Sequence, residues 1–475
     1  MVEAEKLLDI GLALTKEKNV DKLLELILDI AMEMMNCDGG TLYMLEDDEL
    51  WFKIMITISK GIRKVVGETV NLPPVKLSPQ NVCSRSVLDK KLINLADVYE
   101  SDEFNFTGTK KYDELNAYRT QSMLTVPMED DHGDVIGVLQ LINAQDENGK
   151  IIPFAAEYDK TLFSVASQAA ICLTNRKYAH EVVELLDSFV RAMSAAIDAR
   201  SPYNANHTRN MAVYGQKFVE WMNSDGAEHF NHDRERQFLM SIWLHDIGKL
   251  VVPLEVMDKD SRLGLKLTAV LFRYQAFVMQ AEIDFLRNAI DEDEYNRRVS
   301  EAERARELVE KSNKAGFLND ETLDELSSLG SKKALGPNGE ETYLTPEELT
   351  CMLVRRGTLT DEERQIMESH VHMTRRMLSE VRFPKKYRAV PDWASSHHEH
   401  LNGKGYPDCL TADDIPVEVR ILTILDIYDA LTARDRPYKP GMPPEKAFAI
   451  LGDMAEKGQI DKDFLELYRK SEAWM

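Results

Sequence analysis

Two adjacent histidines and a glutamate, His397-His398-Glu399, inside the stretch SSHHEHLNGKGYP (residues 395–407), constrain this chain more than any other feature. Two borderline-soft nitrogens and a carboxylate within one turn suit a transition metal better than an apolar core. A metal needs further ligands, so the fold has to gather distant segments around this turn. The following Gly403-Lys404-Gly405-Tyr406-Pro407 has two glycines that tolerate positive φ and a proline that fixes the exit. The ligand turn should therefore run into a rigid, bent loop that can hold Tyr406 beside a ligand.

Three other segments offer donors. In DARSPYNANHTRN (198–210) one helix ends at Ser201-Pro202 and another starts at Asn206-His207. A later helix with Phe238, Leu239, Ile242, Trp243 and Leu244 delivers His245-Asp246 and then Ile247-Gly248-Lys249. A histidine with a neighbouring aspartate at a helix end can bind one ion and bridge to another. Thr360 caps a further helix, with Glu363 completing a capping box, and His370 is expected within it. The helix ILTILDIYDALTARDRPYK carries Asp426 and Asp429 among apolar residues.

At 475 residues the chain exceeds one core and should hold two or three domains. Its apolar runs fall short of the ~20 residues a bilayer span needs, and its start, MVEAEKLL, is acidic and amphipathic. No membrane role and a cytoplasmic location are expected. Five cysteines without a C-x-x-C pair argue against disulfides or a thiolate zinc site. A net charge of -23 repels polyanions, which excludes a nucleic-acid polymer and leaves room for a small phosphorylated substrate where local cations overcome the field.

Residues 3–36 read as two helices, the second lined by Leu23, Leu24, Leu26, Ile27, Ile30 and Ala31, with Asp21 in its first turn. TLYMLEDD and ELWFKIMITIS follow as a hairpin hinged at Asp47-Asp48, then QSMLTVPM (121–128) and DVIGVLQLIN (134–143) as a second. Two hairpins with flanking helices make an α+β sandwich. In this order of elements, residues 5–175 resemble a GAF sensor domain. The resemblance implies an unknown small ligand. The signature of cyclic-nucleotide-binding members is altered, since Ala144 follows Asn143 and Tyr158-Asp159 comes four residues after Phe154.

From Tyr158 a heptad seam runs through Leu162, Val165, Ala169, Cys172, Arg176, Ala179, Val183, Leu186, Val190, Met193 and Ile197, about 60 Å of helix. It predicts one long helix pairing two chains as a homodimer. The alternative is two amphipathic helices meeting near Asn175-Arg176, each packed on its own domain. The expected organisation is a sensor domain over 1–157, a connecting helix over 158–200 and an all-α helical domain over 201–475. Residues 260–357, which hold no histidine, read as an insertion. It should contain two helices (263–290 and 293–314) and a polar, turn-rich stretch with Gly330, Gly336-Pro337-Asn338-Gly339 and Pro346, acting as a packed hairpin or a lid.

Taken in order, His207, His245-Asp246-x-Gly-Lys249, His370, His397-His398-Glu399, Gly405-Tyr406-Pro407 and Asp426-x-x-Asp429 resemble the HD-GYP subgroup of HD-domain phosphohydrolases, which hydrolyse cyclic di-GMP. The resemblance implies that His207, His245, Asp246 and Asp426 hold one metal and that His370, His397 and His398 hold a second, with Asp246 bridging. Members with a third metal carry a glutamate where this chain has Tyr203, so two divalent metals are expected, iron foremost, with manganese or zinc as alternatives. Two such cations acidify a shared water and neutralise a phosphodiester. Lys249 is expected to clamp a phosphate oxygen with Asp246 as its catalytic partner, and Tyr406, Arg436 and Lys439 to bind substrate. One extra residue before Arg436 brings Arg434 into the same role, and Asp429 and Glu399 are expected to support ligands. The implied activity is hydrolysis of cyclic di-GMP, or of a mixed cyclic dinucleotide, to a linear product such as pGpG or GMP, regulated by the GAF domain. The alternatives are a non-catalytic cyclic di-GMP receptor that retains the metals and a diiron centre for oxygen chemistry.

Overall fold

A computed structural model describes residues 11–14, 16–17, 19–64, 73–200, 206–433 and 441–475. They divide into two compact units between Leu185 and Leu186. In the first, Asn19 accepts from the Lys22 backbone N–H and starts the Val20–Met34 helix, with Asp21 in its first turn. Leu23, Leu24, Ile27, Leu28 and Ala31 of that helix are buried.

The sheet is antiparallel. Its strands are β1 (Cys37–Glu46), β2 (Glu49–Thr57), β3 (Ile62–Lys64), β4 (Val75–Lys76), β5 (Ile93–Leu95), β6 (Met123–Glu129), β7 (Val135–Gln145) and β8 (Ile151–Ile152). The order is β3-β2-β1-β7-β6-β5, with β4 on β2 and β8 on β7. Asp47 and Asp48 both take positive φ, which lets the two-residue β1–β2 turn follow the strand twist. One core contains Leu23, Ile27, Leu42, Leu139 and Leu162; another contains Tyr43, Leu50, Val82, Phe106 and Val138. Asn143 also takes positive φ. Its side chain accepts from the Gln121 N–H at 2.7 Å and donates to the Arg119 carbonyl at 2.8 Å, so the amide is committed to the backbone.

One helix, Asp159–Arg200, leaves this unit and enters the next. The heptad seam counted along it is not free for a second chain. Leu162 and Ala169 are in the core of the first unit, and Val190 and Ile197 join Met240, Leu244, Ile247 and Leu378 in the second. Tyr158, Val165, Arg176, Ala179 and Val183 belong to neither core, but Val165 is itself buried, which leaves Arg176, Ala179 and Val183 as the one consecutive stretch, too short a run for a coiled coil. The helix is continuous, but its two ends pack as the two-helix alternative requires.

The second unit builds its main core from the helices His207–Asp225, His232–Leu244, Val417–Thr432, Pro444–Glu456 and Lys462–Ser471. The expected helix holding His370 is two helices, Asp361–Glu368 and His370–Ser379, meeting at Ser369. The Thr360–Glu363 capping box is present at the start of the first.

The insertion departs furthest from expectation. It has its own core of Val270, Tyr274, Phe277, Val309, Leu326 and Tyr343. Its helices are Leu267–Leu286 and Glu292–Asn313, but the stretch read as turns contains the helix Asp320–Ser331 and a hairpin pairing Lys333–Gly336 with Gly339–Thr342. Leu323, Leu326 and Leu329 recur every three residues behind the Asn319 cap and bury that helix, and the hairpin means the unit is not all-α. The root is stitched by buried Arg262, which donates to the Val354 and Ser312 carbonyls at 2.7 Å each.

Candidate metal centre

Each histidine of the predicted set is delivered by a helix end or a turn. His207 opens the His207–Asp225 helix, His245 follows Leu244 at the end of its own helix, and His370 opens the His370–Ser379 helix. His397 and His398 sit in turns after Ala394. At His245, His370 and His397 the same device sets the ring. Nδ1 lies 2.7, 2.7 and 2.8 Å from the carbonyls of Ile242, Met367 and Ala394, three residues back in each case. Nδ1 must therefore carry the proton, which leaves the Nε2 lone pair exposed to whatever it faces.

Those three Nε2 atoms, together with Asp246 Oδ1, are buried without a hydrogen-bond partner among the described residues. Buried acceptors in such number cost free energy unless something electropositive meets them. The donor set fits a cation. Two groups have ligand atoms within 4.8 Å of one another: His207, His245 and Asp246, and His370, His397 and His398. Asp246 stands between them. Its Oδ2 is 3.2 Å from His245 Nε2 and 3.8 Å from His207 Nε2, while its Oδ1 is 3.4 Å from His370 Nε2 and 3.9 Å from His397 Nε2. Asp426 reaches both groups, with Oδ1 at 3.2 Å from His207 Nε2 and Oδ2 at 3.9 Å from His398 Nδ1.

Charge separates the two groups. Burial opposes a proton on His207, but Asp426 and Asp429 beside its ring nitrogens prevail and push its pKa up to about 9. Asp429 Oδ2 is 2.7 Å from His207 Nδ1, so it orients the ring from behind. Burial lowers His370, holds His397 well below the usual histidine range and brings His398 down to about 4. Burial would raise Asp246, but its neighbours, the His245 ring and the Lys249 ammonium first, hold it well below the usual carboxylate range.

Close packing keeps the segments together. A Cβ on Gly248 would collide with the His370 carbonyl, and the Thr374 hydroxyl accepts from the Gly248 N–H at 3.0 Å while donating to the His245 carbonyl at 2.9 Å. Gly405 is likewise pressed against the backbone of Glu399 and His400, so the loop crosses directly over the ligand turn. Tyr406 N–H donates to the His398 carbonyl at 3.1 Å, and its ring centroid lies 4.8 Å from that of His398.

Lys249 Nζ lies 2.6 Å from Asp246 Oδ2. Glu399, which adjacency suggested as a donor, turns away from the histidines and accepts from the Asp408 and Leu410 N–H groups at 2.6 and 2.9 Å, bracing the Tyr406 loop. His372 is exposed, and His400 is half-buried outside both groups. Tyr203, Arg434, Arg436 and Lys439 lie outside the described residues. Two residues went unnoticed in the sequence. Asp198 Oδ1 is buried without a hydrogen-bond partner among the described residues, and burial, with Asp246 adding to it, pushes the carboxyl up to about 6. Arg200 donates to the carbonyls of Lys249, Leu250 and Val252, at 2.9 Å to the first and last. The segment 198–210 had offered only a helix end, because nothing in local spacing ties these two side chains to a turn some fifty residues on.

Residues 19–173 match the GAF domain model, and residues 333–464 match the HD domain model. The chain carries a GAF domain and an HD domain. Part of the chain is similar to named proteins. The 3'3'-cGAMP-specific phosphodiesterase 3 of Vibrio cholerae is 36% identical over 21% of this chain and 21% of its own length. The cyclic di-GMP phosphodiesterase response regulator RpfG of Xanthomonas campestris is 35% identical over 23% of this chain and 28% of its own. A cyclic di-GMP phosphodiesterase of Thermotoga maritima is 32% identical over 25% and 34%. The chain thus spans between a fifth and about a third of these curated relatives. The HD model begins inside the insertion and leaves out His207, His245 and Asp246, so the contribution of these three to the site rests on geometry.

Proposed function

We propose that the HD domain is a metal-dependent phosphodiesterase that hydrolyses a cyclic dinucleotide, cyclic di-GMP, to linear pGpG or GMP under control of the GAF domain. The observation that carries this reading is Asp246, whose two oxygens face separate histidine groups with unpartnered Nε2 atoms. His207, His245, Asp246 and Asp426 would hold one cation and His370, His397 and His398 the other, with Asp246 shared. Neutral imidazoles with carboxylates suit iron, the identity proposed, and equally accommodate manganese or zinc. A pair of such cations supplies an acidified water and charge neutralisation to a phosphodiester.

The protein's own side chains do the rest. Lys249, drawn from Asp246 by a phosphate oxygen, balances the charge that grows as the phosphorus–oxygen bond breaks. Burial keeps the Tyr406 hydroxyl protonated, so it donates to the nucleotide from the wall beside His398. Arg436 and Lys439 follow the Asp426 helix in the chain and are assigned to the second phosphate or a guanine. Regulation is supported by the long helix, whose last residue, Arg200, holds the turn that carries Lys249. The GAF ligand is assigned to a cavity of about 620 Å³ lined by Tyr43, Phe52, Met55, Phe106, Tyr112 and Ile142. No described helix is long and apolar enough to cross a membrane, and a cytoplasmic location is part of the same proposal.

The test pairs metal analysis with a product assay on protein purified without air. Two metals per chain and release of linear product from cyclic di-GMP or cGAMP are expected, with turnover lost in His397→Ala. Metal-loaded protein that binds the nucleotide and returns it intact would make the domain a receptor instead.

A further inference from the structure

The turn that presents Lys249 is gripped from two sides, and only one grip belongs to the metal centre. Lys249 lies in a short 3-10 helix, Ile247–Val251, that starts after Asp246. On the side of the histidines this helix is fixed at Gly248, whose N–H donates to the Thr374 hydroxyl and whose backbone is pressed against the His370 carbonyl. The same Thr374 hydroxyl donates to the His245 carbonyl, so His245, Gly248 and the His370 helix move as one piece. The second grip comes from Arg200, the last residue of the Asp159–Arg200 helix and forty-nine residues from Lys249 in the chain.

A helix this short leaves its final carbonyls without partners inside it, and a basic side chain can supply them. Val252 N–H returns to the Lys249 carbonyl at 3.2 Å. Arg200 covers the rest of that end. Its Nη1 donates to the carbonyls of Lys249, at 2.9 Å, and Leu250, and its Nη2 donates to the carbonyl of Val252 at 2.9 Å. A planar guanidinium with donors in a fixed fork holds three acceptors in one arrangement, which a compact ammonium on a flexible stem does not.

We propose that Arg200 is a positioning residue for Lys249: by capping the Lys249 turn from the end of the long helix it fixes where the Lys249 ammonium stands when a phosphate arrives. This role rests on the phosphodiesterase reading and gives its regulation a residue, because the side chain that sets Lys249 is carried by the helix that runs on from the GAF domain. Since Thr374 and Gly248 hold the ligand side independently, a disturbance at Arg200 displaces Lys249 and spares the metal ligands. Such a signal changes turnover at constant metal content.

Kinetics on the metal-loaded full chain test the role. Arg200→Ala should lower kcat for cyclic di-GMP about 10–100-fold, with KM within about twofold of wild type and metal content unchanged, because the misplaced ammonium matters as charge develops. Arg200→Lys should recover only part of the loss. The double variant decides whether Arg200 acts through Lys249. In a Lys249→Met background, Arg200→Ala should cost at most about twofold more. The full loss in that background, or metal lost in proportion to turnover, would make Arg200 a residue of the fold alone and overturn the role. Wild type that turns over no cyclic dinucleotide would sink the phosphodiesterase reading instead, and the grip is then read without chemistry. Hydrogen exchange over residues 247–252 should quicken in Arg200→Ala while the peptide holding His397 is unaltered; unchanged exchange over 247–252 would show that Arg200 does not hold the turn.

Discussion

The two histidine groups of the second unit meet at one carboxylate, yet they differ in how they are built. The group of His207 and His245 is rich in charge: Asp426 and Asp429 flank His207, and Lys249 lies on Asp246. In the absence of a cation His207, Asp426, Asp429, Asp246 and Lys249 can form ion pairs with one another, while His245 Nε2 stays without a hydrogen-bond partner among the described residues. The group of His370, His397 and His398 is neutral, its imidazoles lowered by burial, and the Nε2 atoms of His370 and His397 have no partner among the described residues. A protein that holds one group largely by internal charge and builds the other from neutral imidazoles should load its two sites by different rules. The first must displace a proton and the Lys249 ammonium; the second only has to be filled.

The largest effect should follow from breaking what the groups share. Asp246→Asn keeps the size of the side chain but removes the charge between both clusters, so it should empty both sites and cut turnover by about a thousandfold or more. Metal content by mass spectrometry and a product assay read this together, and a variant retaining one tightly held metal would show that Asp246 belongs to one cluster only. A smaller, one-sided effect is expected for Asp429→Asn. It loosens His207 from behind and should weaken metal affinity about 10–100-fold at the first group. Titration with a competing chelator should show the first site weakened and the second unchanged; two sites weakened alike would break the distinction.

Much of this was legible in the chain because periodicity and punctuation coincide with the chemistry. Apolar residues up to Leu244 mark a helix, and its end throws His245 and Asp246 to one place. The β1–β2 turn at Asp47-Asp48 was equally plain, since two aspartates tolerate the positive φ that the hairpin needs. What failed were inferences about which surface a periodic residue meets. Leu162 and Val190 repeat as a coiled coil would, but the same spacing serves burial inside one chain, and each packs into a separate core. A helix over Asp320–Ser331 was hidden by the charges, glycines and prolines around it, although Leu326 and Leu329 bury it. Glu399 beside two histidines read naturally as part of their site. Side-chain direction within a turn depends on the turn, and this one sends the carboxylate to the Asp408 and Leu410 amides.

The smallest effect separates the groups by pH alone. With His207 pushed up to about 9 from 6.5, its ring holds a proton at neutral pH, and a cation must expel it. Affinity at the first group should therefore climb from pH 7 to 9, with proton release on binding, while the second, with His398 brought down to about 4, should stay flat over that range. Stability of the metal-free protein carries the opposite sign. A raised pKa contributes stability that is complete below pH 6.5 and is lost as pH rises through about 9, so chelator-treated protein should melt progressively lower over that interval. His398 works at the other end: its contribution is present above pH 6.5 and is lost as the pH falls towards 4. Replacing Asp429 by Asn removes one of the two carboxylates that raise His207, so both alkaline slopes should shrink in that variant while the acid limb is unchanged. If the melting curve of metal-free Asp429→Asn keeps its full alkaline slope, the charge on His207 does not come from the pairing that distinguishes its group.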